Sequence, residues 1–299
     1  MATAGPGAHV ITSTTEHKAV LDCCRTLEAR GAEVTYLPVD TEGQIDVDQL
    51  AAAISERTVM VSLMAANNEI GVLQPLAEIG RLTKARGVLW HCDAAQAVAK
   101  IELDVEALGI DLLSVSGHKL YAPKGVGFLY VRSRGPRGRL ASQVEGGGQE
   151  RGLRAGTLNV AGIVALGRAC ELGCEELPVE AARLLQMRQR LYEGFTTRLG
   201  PLVVNGHREA RLPGNLNLSF AGIDGAELLV GLREIALSSG AACSSQEQVP
   251  SHVLRAIGLS DDLARASLRF GLGRFNTCLL YTSDAADEGL GVDLGGRRI

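Results

Sequence analysis

From His9 to Val131 the chain repeats one pattern: a strand-length apolar run stops at a polar cluster, and an amphipathic stretch often follows. His9–Thr12 ends in Ser13-Thr-Thr-Glu-His17, and Thr58–Met64 leads to Asn67-Asn-Glu69. Val88–His91 ends in Cys92-Asp-Ala-Ala-Gln96, and Leu112–Val115 ends in Ser116-Gly-His-Lys119. Lys18–Arg30, Asp46–Ser55 and Leu76–Arg86 carry apolar residues at helical spacing, with Gly31 and Gly87 closing the first and third. Glu33–Leu37 and Gly127–Val131 read as further strands. Strands alternating with helices predict an α/β fold whose mostly parallel sheet is covered on both faces. In such sheets ligands bind outside the carboxyl ends of the strands. His17, Asn67, Asp93 with Gln96, and Ser116 to Lys119 are therefore expected along one edge.

A chain of 299 residues holds one large α/β domain and a smaller one. The large domain is expected over 9–173 and a smaller α+β domain over 174–277. With 46% hydrophobic residues and 36 glycines the composition suits a globular protein with many tight turns. A net charge of −4 without a basic stripe argues against a nucleic-acid surface. No apolar run approaches the roughly 20 residues of a membrane span, and Met1–Ala8 is too short and polar for a signal peptide. Seven cysteines, without a dense framework, point to free thiols in a reducing compartment. The cytoplasm is expected, or the mitochondrion for a eukaryotic parent. With no CxxC and no HExxH, no metal site is expected. GxGxxG and GxxxxGK are also absent, so dinucleotide and P-loop readings fail.

Further along, Glu145-Gly-Gly-Gly-Gln-Glu-Arg-Gly152 fits either an anion-approaching backbone loop or a linker. Val160–Leu199 is expected to be largely helical with a break at Pro178. Asn215–Phe220, Ile235–Leu237 and Ala266–Phe270 read as strands, Ala226–Leu232 and Val253–Ile257 as helical. Cys243 stands in a loop of small residues, Ser238 to Ser245, which suits an accessible thiolate. Cys23, Cys24, Cys92, Cys170 and Cys174 lie on helices or beside strands and are expected to pack inside.

Lys119 follows an apolar run and is flanked by Ser116, His118 and Tyr121. Partial desolvation there would lower its pKa and ready the amine for a Schiff base. By itself the stretch also fits a surface-loop lysine beside a core histidine. A Schiff-base lysine with an aspartate at a neighbouring strand end is what pyridoxal phosphate needs, because the aspartate keeps the pyridine nitrogen protonated. Histidine can stack on the ring, Asn and Gln can bind its phenolic oxygen, Ser and His can take the phosphate, and Arg matches a carboxylate bidentately.

Seven stretches in order resemble the cysteine desulfurases, pyridoxal-phosphate enzymes of the class V aminotransferase fold (fold type I). They are Thr15-Glu-His-Lys18, Asn67-Asn-Glu-Ile-Gly71, His91-Cys-Asp-Ala-Ala-Gln96, Ser116-Gly-His-Lys119, Arg151-Gly-Leu-Arg-Ala-Gly-Thr157, Ser238-Ser-Gly-Ala-Ala-Cys-Ser244 and Leu268-Arg-Phe-Gly-Leu-Gly-Arg-Phe275. The resemblance runs from about His9 to Thr277 and implies conversion of L-cysteine to L-alanine. It makes Lys119 the Schiff-base lysine and proton shuttle, Asp93 the partner of the pyridine nitrogen, and Gln96 and Asn67 contacts of the phenolic oxygen, with Asn67 also near the substrate. It makes His17 the stacking residue that assists protonation, and Ser116, His118 and Thr157 phosphate contacts, Thr157 from the neighbouring subunit of a homodimer. Arg269 would bind the substrate carboxylate. Cys243 would attack the substrate sulfur, leave as a persulfide and serve acceptor or scaffold proteins of iron–sulfur assembly, or tRNA thiolation. A transient iron–sulfur ligand role for Cys243 is also implied.

Two departures from the family lead to further expectations. Met1–Ala8 does not match the family's preceding loop and helix, whose N-terminus binds phosphate. After Thr277 the pattern stops, and Cys278-Leu-Leu-Tyr-Thr-Ser-Asp-Ala-Ala-Asp-Glu288 resembles translated adapter sequence, so 278–299 reads as a non-native tail. A chain truncated at both ends is expected to show weak or no activity. The rival readings are a selenocysteine lyase, an inactive scaffold of the same fold, and an ordinary transaminase, which needs no cysteine in the Ser238–Ser245 loop.

Overall fold

The apolar runs of the first half become strands because each stacks its side chains against neighbours in one sheet. In the computed structural model the described residues are 6–133, 140–232, 237–238 and 250–277. Cys243, Ile235, Ala236 and the 278–299 segment lie outside them. The described residues of Met1–Pro38, Ile45–Ala66 and Gln74–Leu177 form one compact unit, and those of Val39–Gln44, Asn67–Leu73 and Pro178–Ile299 a second.

In the first unit, β1 (His9–Ser13), β2 (Glu33–Leu37), β3 (Thr58–Ser62), β4 (Leu89–Asp93), β5 (Leu112–Ser116) and β6 (Gly127–Val131) form a sheet in the order β2-β1-β3-β4-β5-β6. All pairings are parallel except β5 with β6. Four elements are interleaved: α1 (Lys18–Ala29), α2 (Val47–Ala53), α3 (Leu76–Arg86) and α4 (Val105–Leu108). Asp46 and Asp104 cap α2 and α4 by accepting two backbone N–H groups each, the usual work of an N-cap carboxylate. Val10, Ile11, Val61, Trp90 and Cys92 are fully buried in the middle strands.

Helix α5 (Val160–Leu199) carries Pro178 within it, where the sequence predicts a break. An interior proline removes one N–H and costs about 3 kcal/mol. Burial of Leu166 and Ala169 before it and of Leu184, Met187 and Leu191 after it offsets that cost. The boundary between the units falls at this proline.

The second unit contains an antiparallel sheet of β7 (Val203–Val204), β8 (Asn215–Ser219) and β9 (Ser267–Gly271), with α6 (Gly225–Gly231), α7 (His252–Ala256) and α8 (Asp261–Arg265). One core gathers Leu191, Leu216, Leu218, Phe220, Leu268 and Phe270. The Phe195 ring lies 5.1 Å from that of Phe270, centroid to centroid. A second core joins Ile70 and Val72 to Val253, Leu254 and Ile257. Residues 67–73 are tied into this unit by backbone bonds from Leu212 N to Gly71 O (2.9 Å) and Leu73 N to Ala210 O (2.9 Å). Among the described residues no helix is long and apolar enough to cross a membrane.

Candidate active site

Three strands of the parallel sheet, β1, β4 and β5, deliver polar clusters at their carboxyl ends. After β1, Ser13 Oγ and Thr15 Oγ1 lie 3.0 Å apart and hold the turn. The exposed His17 then caps α1, its Nδ1 accepting from Ala19 N at 3.2 Å. A neutral ring in that arrangement carries its proton on Nε2. Glu16 beside it is fully buried, with Oε1 accepting from Met64 N at 2.6 Å. Burial, reinforced by the charge of Asp93, raises its carboxyl well above the usual range.

At the end of β4, Asp93 is half-buried and its Oδ1 accepts from Ala95 N at 2.9 Å. Gln96 Oε1 accepts from Lys100 Nζ at 3.0 Å, which turns the amide nitrogen of Gln96 into its available donor. Two residues back along the same strand, His91 sits between two hydroxyls: Nδ1 is 2.8 Å from Ser62 Oγ and Nε2 is 2.8 Å from Ser114 Oγ. Burial lowers its pKa against the opposing pull of Asp93, so the ring is neutral.

β5 runs into a short 3₁₀ turn, Gly117–Lys119. A side chain at Gly117 would put a Cβ 2.8 Å from Val126 O, so this tight approach requires glycine. Ser116 Oγ and His118 Nδ1 are 3.0 Å apart. His118 and Lys119 are exposed. The sheltered position the apolar run suggests for Lys119 is not found; the side chain following the buried strand is exposed. Thr157, also exposed, follows the glycine loop, in which Gly156 N donates to Gln149 Oε1 at 3.2 Å.

Asn67 and Arg269 belong to the second unit. Asn67 is fully buried, and its Oδ1 accepts from Glu69 N at 2.8 Å and Ile70 N at 3.0 Å. The side chain that the motif marks as a ligand contact therefore also folds its own turn. Arg269, on β9, donates from Nη1 to Asn68 O at 2.6 Å. Cys243 lies outside the described residues.

Among the described cysteines, Cys24 and Cys92 are buried as expected and Cys170 is half-buried. Cys23 and Cys174 are exposed instead. Cys23 falls one position off the buried stripe of Leu21, Cys24 and Leu27. Burial raises the thiol of Cys92 well above its ordinary value and that of Cys24 to about 11, so neither supplies a thiolate. No group of three or more His, Cys, Asp or Glu side chains suited to a metal ion occurs among the described residues.

Sequence reasoning missed Glu16, His91 and the asparagines of β8. The first two carried a signal, an ionisable residue set directly in or after an apolar strand. The polar groups at the strand ends fit a phosphorylated pyridine aldehyde: the Asp93 carboxylate, whose Oδ2 has no partner among the described residues, an amide N–H at Gln96, an exposed amine at Lys119, and the Ser116–His118 pair.

A family model described as aminotransferase class-V matches residues 1–278. A cysteine desulfurase IscS from Anaeromyxobacter sp. (strain Fw109-5) is 54% identical over 271 residues, covering 91% of this chain and 67% of that protein. A cysteine desulfurase from Homo sapiens is 53% identical over 269 residues, 90% of this chain and 59% of its own length. This chain thus spans about two thirds of the bacterial relative and less of the human one. Among solved structures, a NifS-like protein superposes with a TM-score of 0.81 at 37% identity, over 91% of this chain and 72% of that one. DndA from Streptomyces lividans gives 0.76 at 39% identity, over 88% and 74%.

Proposed function

This chain belongs to the class V aminotransferase family, among its cysteine desulfurases, and on that footing we propose that it takes sulfur from L-cysteine, leaves L-alanine, and uses pyridoxal 5′-phosphate. The observation that carries this reading is the exposed Lys119 at the end of β5, on the same sheet edge as Asp93 and Gln96. The cofactor, when bound, supplies an electron sink for the bonds at the substrate's reacting carbons.

Lys119 Nζ holds the cofactor and moves protons at the substrate. Asp93 Oδ2 keeps a proton on the ring nitrogen. Gln96 reaches the phenolic oxygen through its amide nitrogen, since Lys100 occupies its carbonyl. Asn67 acts there through Nδ2, because its Oδ1 is committed to the turn. His17 covers the ring and offers the Nε2 proton. Ser116 and His118 bind the phosphate, and Thr157 adds a contact across a homodimer. Arg269 takes the substrate carboxylate.

Cys243 as thiolate attacks the substrate sulfur: the new S–S bond forms as the C–S bond breaks, and the electron pair stays with the carbon, which takes a proton offered by His17 Nε2 or Lys119 to become alanine's methyl. The persulfide then passes its outer sulfur to an acceptor or scaffold protein of iron–sulfur assembly or to tRNA thiolation, with Cys243 also able to hold a cluster transiently. The reading places this chemistry in the cytoplasm, or in the mitochondrion of a eukaryote.

Absorption spectra with added pyridoxal phosphate test it. A visible band that Lys119→Ala removes is expected, together with a mass gain of one sulfur atom on Cys243 after L-cysteine, absent in Cys243→Ala. A chain whose spectrum is indifferent to Lys119 would overturn the reading.

A further inference from the structure

Strand β8 reads Asn215-Leu-Asn-Leu-Ser219, an alternation that normally marks one wet face. All five residues are buried. The leucines enter the apolar core, so the other face is a buried polar ladder. Ser219 Oγ donates to Asn205 Oδ1 (2.9 Å) and lies 2.8 Å from Ser267 Oγ. Asn205 Nδ2 donates to Asn217 Oδ1 at 2.8 Å. Asn217 Nδ2 then donates to Glu69 O at 3.2 Å, as does Asn215 Nδ2. Buried polar networks rigidify what they join but are costly when incomplete.

This ladder ends beside Arg269. Asn217 and Arg269 are direct partners across β8 and β9. They reach consecutive carbonyls of one turn, Asn217 to Glu69 O and Arg269 to Asn68 O. Ser251 Oγ donates to the Glu69 carboxylate and fixes the turn from α7. Arg269 makes no ion pair among the described residues; its side-chain acceptor there is a neutral carbonyl. That leaves the rest of the guanidinium fork for a carboxylate.

We propose that Asn217 is a positioning residue that aims Arg269 at the substrate's carboxylate by clamping the Asn68–Glu69 turn, and that its neutrality keeps the arginine open. The proposal rests on the reading of Arg269 given above. An aspartate at 217 has the same shape, loses the donor to Glu69 O, and sets a competing anion opposite the guanidinium.

The test is the ratio of Kd for L-alanine methyl ester to Kd for L-alanine, measured by calorimetry on the cofactor-loaded full chain. The wild type is expected to prefer the acid, and Arg269→Ala to abolish that preference. Asn217→Asp is expected to lose roughly tenfold of the preference, as hydrogen bonds to a charged group imply, while binding the ester as the wild type does. A merely structural role would lower the melting temperature and weaken both ligands alike, leaving the ratio unchanged. Should Asn217→Asp not fold, the milder Asn217→Ser decides, a reduced ratio supporting the proposal and a wild-type ratio overturning it. If Arg269→Ala leaves the ratio intact, the carboxylate reading of Arg269 falls; if it collapses the ratio while the Asn217 variants keep it, only the positioning role falls.

Discussion

Replacing Gly71 by alanine would measure how firmly the 67–71 turn is seated. Gly71 has φ +71°, a left-handed conformation that costs an L side chain roughly 1–2 kcal/mol. The new Cβ would stand 2.5 Å from Asn215 Cγ and Oδ1 and 2.6 Å from its Cβ, far inside contact distance of the buried Asn215 side chain. Overpacking of this kind costs roughly 1–3 kcal/mol, and the displaced Asn215 would also give up its bond to Glu69 O, about 1 kcal/mol. The combined loss is roughly 3–6 kcal/mol, a large share of the stability of a typical domain. Gly222→Ala is the control: φ is +81° and a Cβ there meets no heavy atom within 4 Å, so only the backbone share should be lost. Urea denaturation of both variants supplies the comparison. Losses equal within about 0.5 kcal/mol would refute the claim that Asn215 packs the turn into place.

Two pH effects follow from the buried ionisable groups. Burial raises the folded pKa of Glu16, so its contribution is fully present below the unfolded carboxylate pKa and fades as pH rises through the raised folded value. Glu16→Gln should lack that decline, and parallel urea midpoints for the two proteins from about pH 5 to pH 8 would contradict it. His9 and His91 are held neutral, so their contribution is intact above the unfolded pKa of about 6.5 and falls as pH drops from there through the lowered folded values. His91→Asn should show a shallower loss of stability on acidification, and an unchanged slope would count against burial as the cause.

The strands of the first sheet were legible because each is a continuous apolar run bounded by polar residues, which leaves little choice of conformation. The same logic puts Asp93, Gln96 and Ser116 to Lys119 at the carboxyl edge of the sheet, since parallel strands place their exits on one edge. It failed where tertiary packing overrides local pattern. Helix α5 crosses Pro178 because the buried residues on both sides outweigh one missing hydrogen bond. β8 alternates as a half-wet strand would, yet both faces are covered. The burial of Glu16, and the membership of residues 67–73 in the second unit, depend on contacts with residues far along the chain, which no window of local sequence contains. Lys119 erred in the other direction, exposed where an apolar run suggested shelter.

One backbone contact sets a radius of action. Arg269 N donates to Ser238 O at 2.8 Å, so the first residue of the cysteine loop is pinned to β9. Five residues of chain lead from there to Cys243, and a fully extended chain spans at most about 3.6 Å per residue, roughly 18 Å in all. On the proposed reading the sulfur carrier, Cys243, is thus tethered beside Arg269, the residue proposed to take the substrate carboxylate. If Cys243 carries the sulfur as proposed, an acceptor must bring its receiving group inside that short sphere, which makes recognition a matter of docking near β9.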